Sequence, residues 1–324
     1  MNKNLELYRD ELETQGTNFF ILDTKGKGSV YGDVDFVAYC WDIDHYNQVN
    51  DGDLFIYRRQ QKASEIKGQF YFFGAGKISE IQSIEGKRVK GIISKAFIFD
   101  EPLLQEELED FKWEFRNRGK NWEHFFNQYG MNKITKNDFI HLLSFKPGVL
   151  QESKEISSGM DEEVKFYQRQ EGGNYRVEDQ EGSSKTRGAA QKVFANQVKL
   201  EYGFQCAVTG IKTKELLVAS HIVPWSEDKD NRLNPRNGIC LSPLIDKAFD
   251  KGFISFTDDL KLIVSDSAKT DAALYESLRP YEGKRLNVRK EFEPDRDFLT
   301  WHRTHLLLKY NDGVNKILSK GSFD

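Results

Sequence analysis

Residues 216–250 hold the pattern that most constrains the chain: a short apolar strand ending in a histidine (LLVASHI, 216–222), a long polar loop, a second short strand (ICL, 239–241) and a brief helix opened by Ser-Pro (242–250). Two strands joined by so long a loop are not a tight hairpin, and two strands alone bury too little surface to be stable. The chemistry of the chain concentrates in this strand–long loop–strand–short helix portion. His221 then stands at a strand end, and Asn237 lies in NPRNG just before the next strand. Asp246 and Asp250, four apart, share one helix face. A strand-end imidazole facing two carboxylates suits metal-assisted hydrolysis. The carboxylates hold a hard divalent cation through oxygen, and a neutral histidine takes a proton from attacking water. A phosphodiester needs these services: a nucleophile, charge stabilisation at the phosphate, and help for the departing oxygen.

The segments CAVTG (206–210), ASHIVPW (219–225), RLNPRNGICL (232–241) and LIDKAFDKGFISF (244–256) closely resemble the HNH nuclease family, most strongly the branch fused to restriction-type endonucleases. The preceding TRGAAQKVFANQVKLEYGFQCAVTG resembles that branch's helical lead-in, so the likeness spans about residues 186–265. It implies a ββα-metal fold with His221 as general base and Asn237 fixing the loop and supporting it. Asp246 falls at the last motif position and is implied as a metal ligand, with Asp250 a second helix-borne one. Ser220 occupies the place where several relatives carry an acidic or histidine ligand, so fewer protein ligands and more waters are expected here. The implied cofactor is a divalent metal ion, Mg²⁺ first, with Mn²⁺ as a substitute.

Each of these side chains also has a plainer reading. His221 could be a packed core histidine, Asn237 a turn residue, Asp246 a helix-dipole partner and Asp250 a cap into Lys251–Gly252. Arg232, Arg236, Lys247 and Lys251 flank the centre, and Arg187 lies on the lead-in helix. They are candidates for phosphate contact or solubilising surface groups. Trp225 either shields the site or packs under the loop. Cys40, Cys206 and Cys240 are odd in number and form no Cys-x-x-Cys pair, which excludes a disulfide framework and a zinc knuckle and fits buried thiols in a reducing cytosol.

The net charge of −4 excludes a chain that coats DNA through bulk electrostatics. Only residues 185–309 carry a basic surplus, 21 against 17. The longest apolar runs, such as Phe70–Ala75, are far too short to span a bilayer, and the opening MNKNLELYRDELET has no secretory signal, so a cytoplasmic, membrane-free protein is expected. The acidic, glycine-containing EGGNYRVEDQEGSS (171–184) reads as a linker, giving an N-terminal domain over 1–145, a bridge over 146–184 and a nuclease domain over 185–324.

The N-terminal part reads as strands at Asn18–Leu22, Asp35–Cys40, Leu54–Arg58, Gln69–Phe73 and Arg88–Phe99, with helices at 104–117, 121–129 and 136–144. The whole chain is then α+β: a barrel-like mixed domain followed by the ββα module. GDLFIYRR with FFGAGKI faintly resembles PUA-like barrels, a superfamily that includes readers of modified bases. Trp41, Tyr46, Phe73 and Trp113 are the candidate lining of a pocket for a flipped base. The expected partner is double-stranded DNA, with or without modified bases. Cutting both strands needs two centres or two visits, which makes a homodimer one arrangement. Two other readings stay open: an HNH nuclease for unmodified sequence, and an inert scaffold that binds DNA or protein.

Overall fold

A computed structural model describes residues 3–26, 32–44, 48–114, 130–145, 156–178 and 184–307. The chain divides into two compact units, one of residues 1–172 with 184–189 and the other of 173–183 with 190–324.

The first unit contains α1 (Lys3–Glu6), α2 (Arg9–Glu13), β1 (Phe19–Thr24), β2 (Ala38–Asp42), β3 (Leu54–Arg59), β4 (Tyr71–Ser83), β5 (Arg88–Leu104), β6 (Met131–Ile134), α3 (Lys136–Ser144) and α4 (Ile156–Glu171). The six strands form one sheet in the order β2-β5-β4-β3-β1-β6, curled into a half-barrel. β1 and β3 run parallel, and the other pairs are antiparallel. Strands β3 and β4, carried by GDLFIYRR and FYFFGAGKISEI, are antiparallel neighbours. Their register slips between Tyr57 and Arg58, opposite Gly74 and Phe72. Gly74 serves close packing there: a Cβ would lie 2.6 Å from both the Phe36 ring and the Phe97 carbonyl.

Sheet register also explains the buried charges. Asp23 is the cross-strand partner of Arg58, and Thr24 of Arg59. Arg58 donates to both Asp23 oxygens at 2.6 Å, and Arg59 donates to Thr24 Oγ1 at 2.8 Å. Bidentate pairing of this kind is what keeps a buried arginine satisfied. Helix α4, read from sequence as part of a bridge, belongs to this unit. Its Tyr167 hydroxyl donates to Asp35 at 3.1 Å and accepts from Arg59 at 2.9 Å.

Two expectations fail here. Residue 104 ends β5 and 105–108 make a single 3₁₀ turn, so no helix starts at 104. Glu107 turns its carboxylate back to the Leu104 amide at 2.8 Å, which closes that turn. The edge strand β6 has no counterpart in the sequence reading. The helix expected at 121–129 lies outside the described residues. The one at 136–144 is α3, opened by a Thr135–Asp138 capping box.

Helix α5 (Ser184–Glu201) leads into the second unit, which holds β7 (Val218–His221), β8 (Gly238–Leu241), α6 (Pro243–Asp250), β9 (Ile254–Phe256), β10 (Leu262–Val264), α7 (Asp266–Lys269), α8 (Ala272–Leu278) and α9 (Arg296–His302). Ala190, Val193, Phe194 and Val198 form the buried face of α5, as their spacing predicts. β7 and β8 pair antiparallel, with His221 opposite Gly238. A Cβ at Gly238 would meet Val198 at 2.5 Å and Phe194 at 2.7 Å, so only glycine lets α5 lie against this strand.

Candidate active site

The long loop between β7 and β8 is tied at its two ends by Asn237, which is buried. Its Oδ1 accepts from the Val223 amide at 2.8 Å, and its Nδ2 donates to the Val223 carbonyl at 3.2 Å and the Asn231 carbonyl at 3.4 Å. The Asn237 carbonyl also accepts from the Ile222 amide at 2.9 Å. One side chain thus closes the loop immediately after His221.

The imidazole of His221 is fixed from three sides. Its Nε2 lies 3.0 Å from the Arg232 carbonyl oxygen. A carbonyl only accepts, so Nε2 carries the hydrogen and Nδ1 is left with the lone pair. Phe194 stacks on the ring face at a centroid distance of 3.7 Å and 14°. Trp225 meets it edge-on at 5.8 Å and 90°. Among the described residues no protein group hydrogen-bonds Nδ1. Burial pushes the imidazole pKa down to about 4. The bond to the Arg232 carbonyl opposes that shift, and the Arg232 charge adds to it. The ring is therefore neutral at pH 7, in the form that can accept a proton.

Helix α6, which packs against β7, carries Asp246 and Asp250. Ser220 precedes His221 on β7 and is buried, and its Oγ makes no hydrogen bond of good geometry. It is still close enough to Asp246 on α6 to favour that group's ionised form. Burial raises the Asp246 carboxyl above its ordinary range, with Ser220 and Lys247 pulling down. Burial also raises Asp250, and the Asp246 charge adds to it. Asp250 is nonetheless solvent-exposed at its position on the helix. Two carboxyls held up by burial, one of them also by its neighbour's charge, and with no cationic side chain bonded to them among the described residues, are a place for an added positive charge.

The donor set fits a hard cation that keeps much of its own water: two carboxylates and one orphaned hydroxyl, all oxygen. It does not fit a structural zinc site. Among the described residues no three His, Cys, Asp or Glu side chains converge as a ready-made cage. The cysteines are buried and unpaired. Cys206 Sγ accepts from the Ser242 amide at 3.1 Å and the Thr209 amide at 3.4 Å, while burial pushes the Cys240 thiol up to about 12.

The basic candidates divide. Arg236, Lys247, Lys251 and Arg187 are exposed. Arg236 donates to the Glu291 carbonyl at 3.1 Å and the Glu293 carbonyl at 3.4 Å. Arg232 is buried. Its Nε donates to the Trp225 carbonyl at 2.8 Å, one Nη to the Val177 carbonyl at 2.7 Å, and its guanidinium lies 4.7 Å from the Trp225 ring centroid. A guanidinium used this way faces the protein.

The candidate base-pocket aromatics fall in separate groups. Trp41 on β2 is buried beside Gly91, with no hydrogen bond to its Nε1. Phe73 on β4 packs with Tyr57, Phe36 and Tyr167, under Arg59 at 4.9 Å. Trp113 packs on Phe111 at 4.5 Å. Tyr46 lies outside the described residues. Phe194 and the Arg232 carbonyl were not singled out by sequence reasoning. Phe194 gave only the signal of an apolar helix face, and a main-chain carbonyl gives none.

Residues 206–257 match the HNH endonuclease family. The second unit therefore carries an HNH endonuclease domain, and the enzyme is a DNA endonuclease, a hydrolase of phosphodiester bonds. The chain is also similar to a solved structure titled "Modification dependent TagI restriction endonuclease", at 14% identity over 88% of this chain and 81% of that one, with a TM-score of 0.28. No curated protein matches it. Among the described residues no helix is long and apolar enough to cross a membrane.

Proposed function

We propose that the protein is a restriction-type, metal-dependent DNA endonuclease in which His221 is the general base. The observation that carries this is the ring's arrangement: Nε2 is locked on a main-chain carbonyl, Nδ1 has no partner among the described residues, and the strand that carries His221 packs against the helix of Asp246. In the hydrolysis, Nδ1 takes a proton from water as the water oxygen bonds to phosphorus. The bond from phosphorus to the 3′ oxygen breaks, and that oxygen leaves. Asn237 holds the loop that keeps Nδ1 in place. Asp246, Asp250 and Ser220 would hold a divalent ion, Mg²⁺ or Mn²⁺, which when bound stabilises negative charge at the phosphate and leaving oxygen. Lys247, Lys251, Arg236 and Arg187 are proposed phosphate contacts, while Arg232 serves the loop.

The further reading assigns target choice to residues 1–145 as a PUA-like reader, with 146–184 as connection and 185–324 as nuclease. The support is chemical: phosphate contacts carry no sequence information, so the choice of DNA must come from elsewhere in the chain. Modified bases are the proposed target, a cytoplasmic homodimer the proposed working form. The test uses supercoiled plasmid with and without Mg²⁺, then matched modified and unmodified duplexes. Wild-type protein should cut only with metal, and Asp246→Ala should cut neither duplex. Equal cutting of both duplexes by the wild type would refute modification dependence and leave the nuclease intact.

A further inference from the structure

We propose that Arg232 is a positioning residue for His221, and that residues 173–178 form the strap through which it is held. The segment reads in the sequence as a linker, yet within the second unit it lies along the active-site loop. The Val177 amide donates to the Lys229 carbonyl at 2.9 Å, and the Tyr175 carbonyl accepts from the Leu233 amide at 3.0 Å. Val177 is buried, and its carbonyl takes the Arg232 guanidinium at 2.7 Å. Arg176 pairs with Asp230 on the same loop. These contacts hold residues 229–233 on both sides of Arg232.

Arg232 then acts on the histidine twice. Its own carbonyl receives the Nε2 hydrogen at 3.0 Å. Its guanidinium fixes Trp225, whose carbonyl it bonds at 2.8 Å and whose ring it covers at 4.7 Å, and that ring meets the imidazole edge-on. Removing the guanidinium takes this donor from the buried Val177 carbonyl and the half-buried Trp225 carbonyl, and frees both the acceptor and the wall of the ring. Misplacing a catalytic group by about 1 Å can cost 10²-fold in rate. The strap is thus part of the apparatus that aims the base, although no residue in it touches the reacting atoms.

This inference rests on the general-base reading of His221, and its test separates the two. Full-length wild-type, Arg232→Met, Arg232→Lys and His221→Ala proteins are compared for kcat, KM, melting temperature and the ¹⁵N spectrum of labelled histidine. The His221 signals are identified by their loss in His221→Ala. The wild type should show the Nε2–H tautomer alone. Arg232→Met should lose about 10- to 100-fold in kcat at unchanged KM, with a tautomer-averaged His221 signal, and Arg232→Lys should recover part of both. If Arg232→Met does not fold, Val177→Pro, which removes the amide bond to Lys229, takes its place with the same expected pattern. A folded Arg232→Met with wild-type kcat, or one that loses only stability while the His221 spectrum is unchanged, overturns the proposal. Wild-type cutting by His221→Ala would instead overturn the general-base reading beneath it.

Discussion

The second unit contains two histidines in almost the same setting, and their difference is instructive. His302 on α9 stacks on Phe249 at 3.7 Å and 2°, and His221 stacks on Phe194 at 3.7 Å and 14°. The Nε2 of each faces a main-chain carbonyl, Phe249 at 3.1 Å and Arg232 at 3.0 Å. Burial pushes both pKa values down to about 4. The contrast is at Nδ1. In His302 it is 2.9 Å from the Ser255 hydroxyl and the residue is wholly buried. In His221 no described protein group bonds it, and the residue is partly open to solvent. Stacking, a locked tautomer and a depressed pKa therefore make a histidine rigid and neutral. A second nitrogen left open on an accessible edge is what the proposed base has and His302 lacks.

The largest effects should separate the pair by type. His221→Ala is expected to lose about 10²–10⁴-fold in cleavage with little change in DNA affinity. His302→Ala should keep its rate per folded molecule and lose about 2–4 kcal/mol of stability. Its cavity strands the Ser255 hydroxyl and the Phe249 carbonyl. Cleavage rates beside urea midpoints measure both, and a crossed result would break the distinction.

The acid response follows from the same burial. A ring near 4 in the folded chain and near 6.5 when unfolded takes up its proton in the unfolded chain first. The stability contributed by neutral His302 is full above about 6.5. It is lost as pH falls toward 4, by about 3 kcal/mol across the window. His302→Gln should flatten that loss, read from urea midpoints at several pH values. An unchanged pH profile would show that His302 is not the group responsible.

Asn237→Ala should cost about 1–3 kcal/mol, because the Val223 amide and carbonyl lose their partner. It should also slow cutting by loosening the loop after His221, which thermal melts and kcat together would show. A melt unchanged from wild type would mean the loop closes without it. The smallest effect concerns phosphate contact. Lys247→Ala and Lys251→Ala should each lower the salt slope of DNA binding by about 1, uniformly across sequences. A changed target preference in either would mean that the residue reads bases.

The legible part of this molecule was the part whose chemistry is local in sequence. His221, Asn237, Asp246 and Asp250 lie within one strand–loop–strand–helix run, so their order and spacing could be read without knowing the packing. The α5 face was legible for the same reason, through its helical period. Phe194 and the Arg232 carbonyl were not, since one comes from an earlier helix and the other is main chain. Arg232 itself was misleading: a charged residue in a polar loop looks exposed until two main-chain carbonyls and a tryptophan ring claim it. In the first unit the strands were visible by composition, but which aromatics lie on adjacent strands was not. Trp41 and Phe73 lie on β2 and β4, which β5 separates, and aromatic content alone does not say which strands become neighbours. The edge strand β6, MNKI, has only two buried positions and too little pattern to announce itself.

In the proposed reaction the open nitrogen of His221 accepts the proton from water. Single-turnover cleavage by folded His221→Ala, with and without added imidazole, tests it most directly. His221→Ala should be nearly inactive, with cutting that rises with imidazole concentration in proportion to its neutral form, while His302→Ala shows no response. A His221→Ala protein that binds DNA and cuts near the wild-type rate with no imidazole present would contradict it.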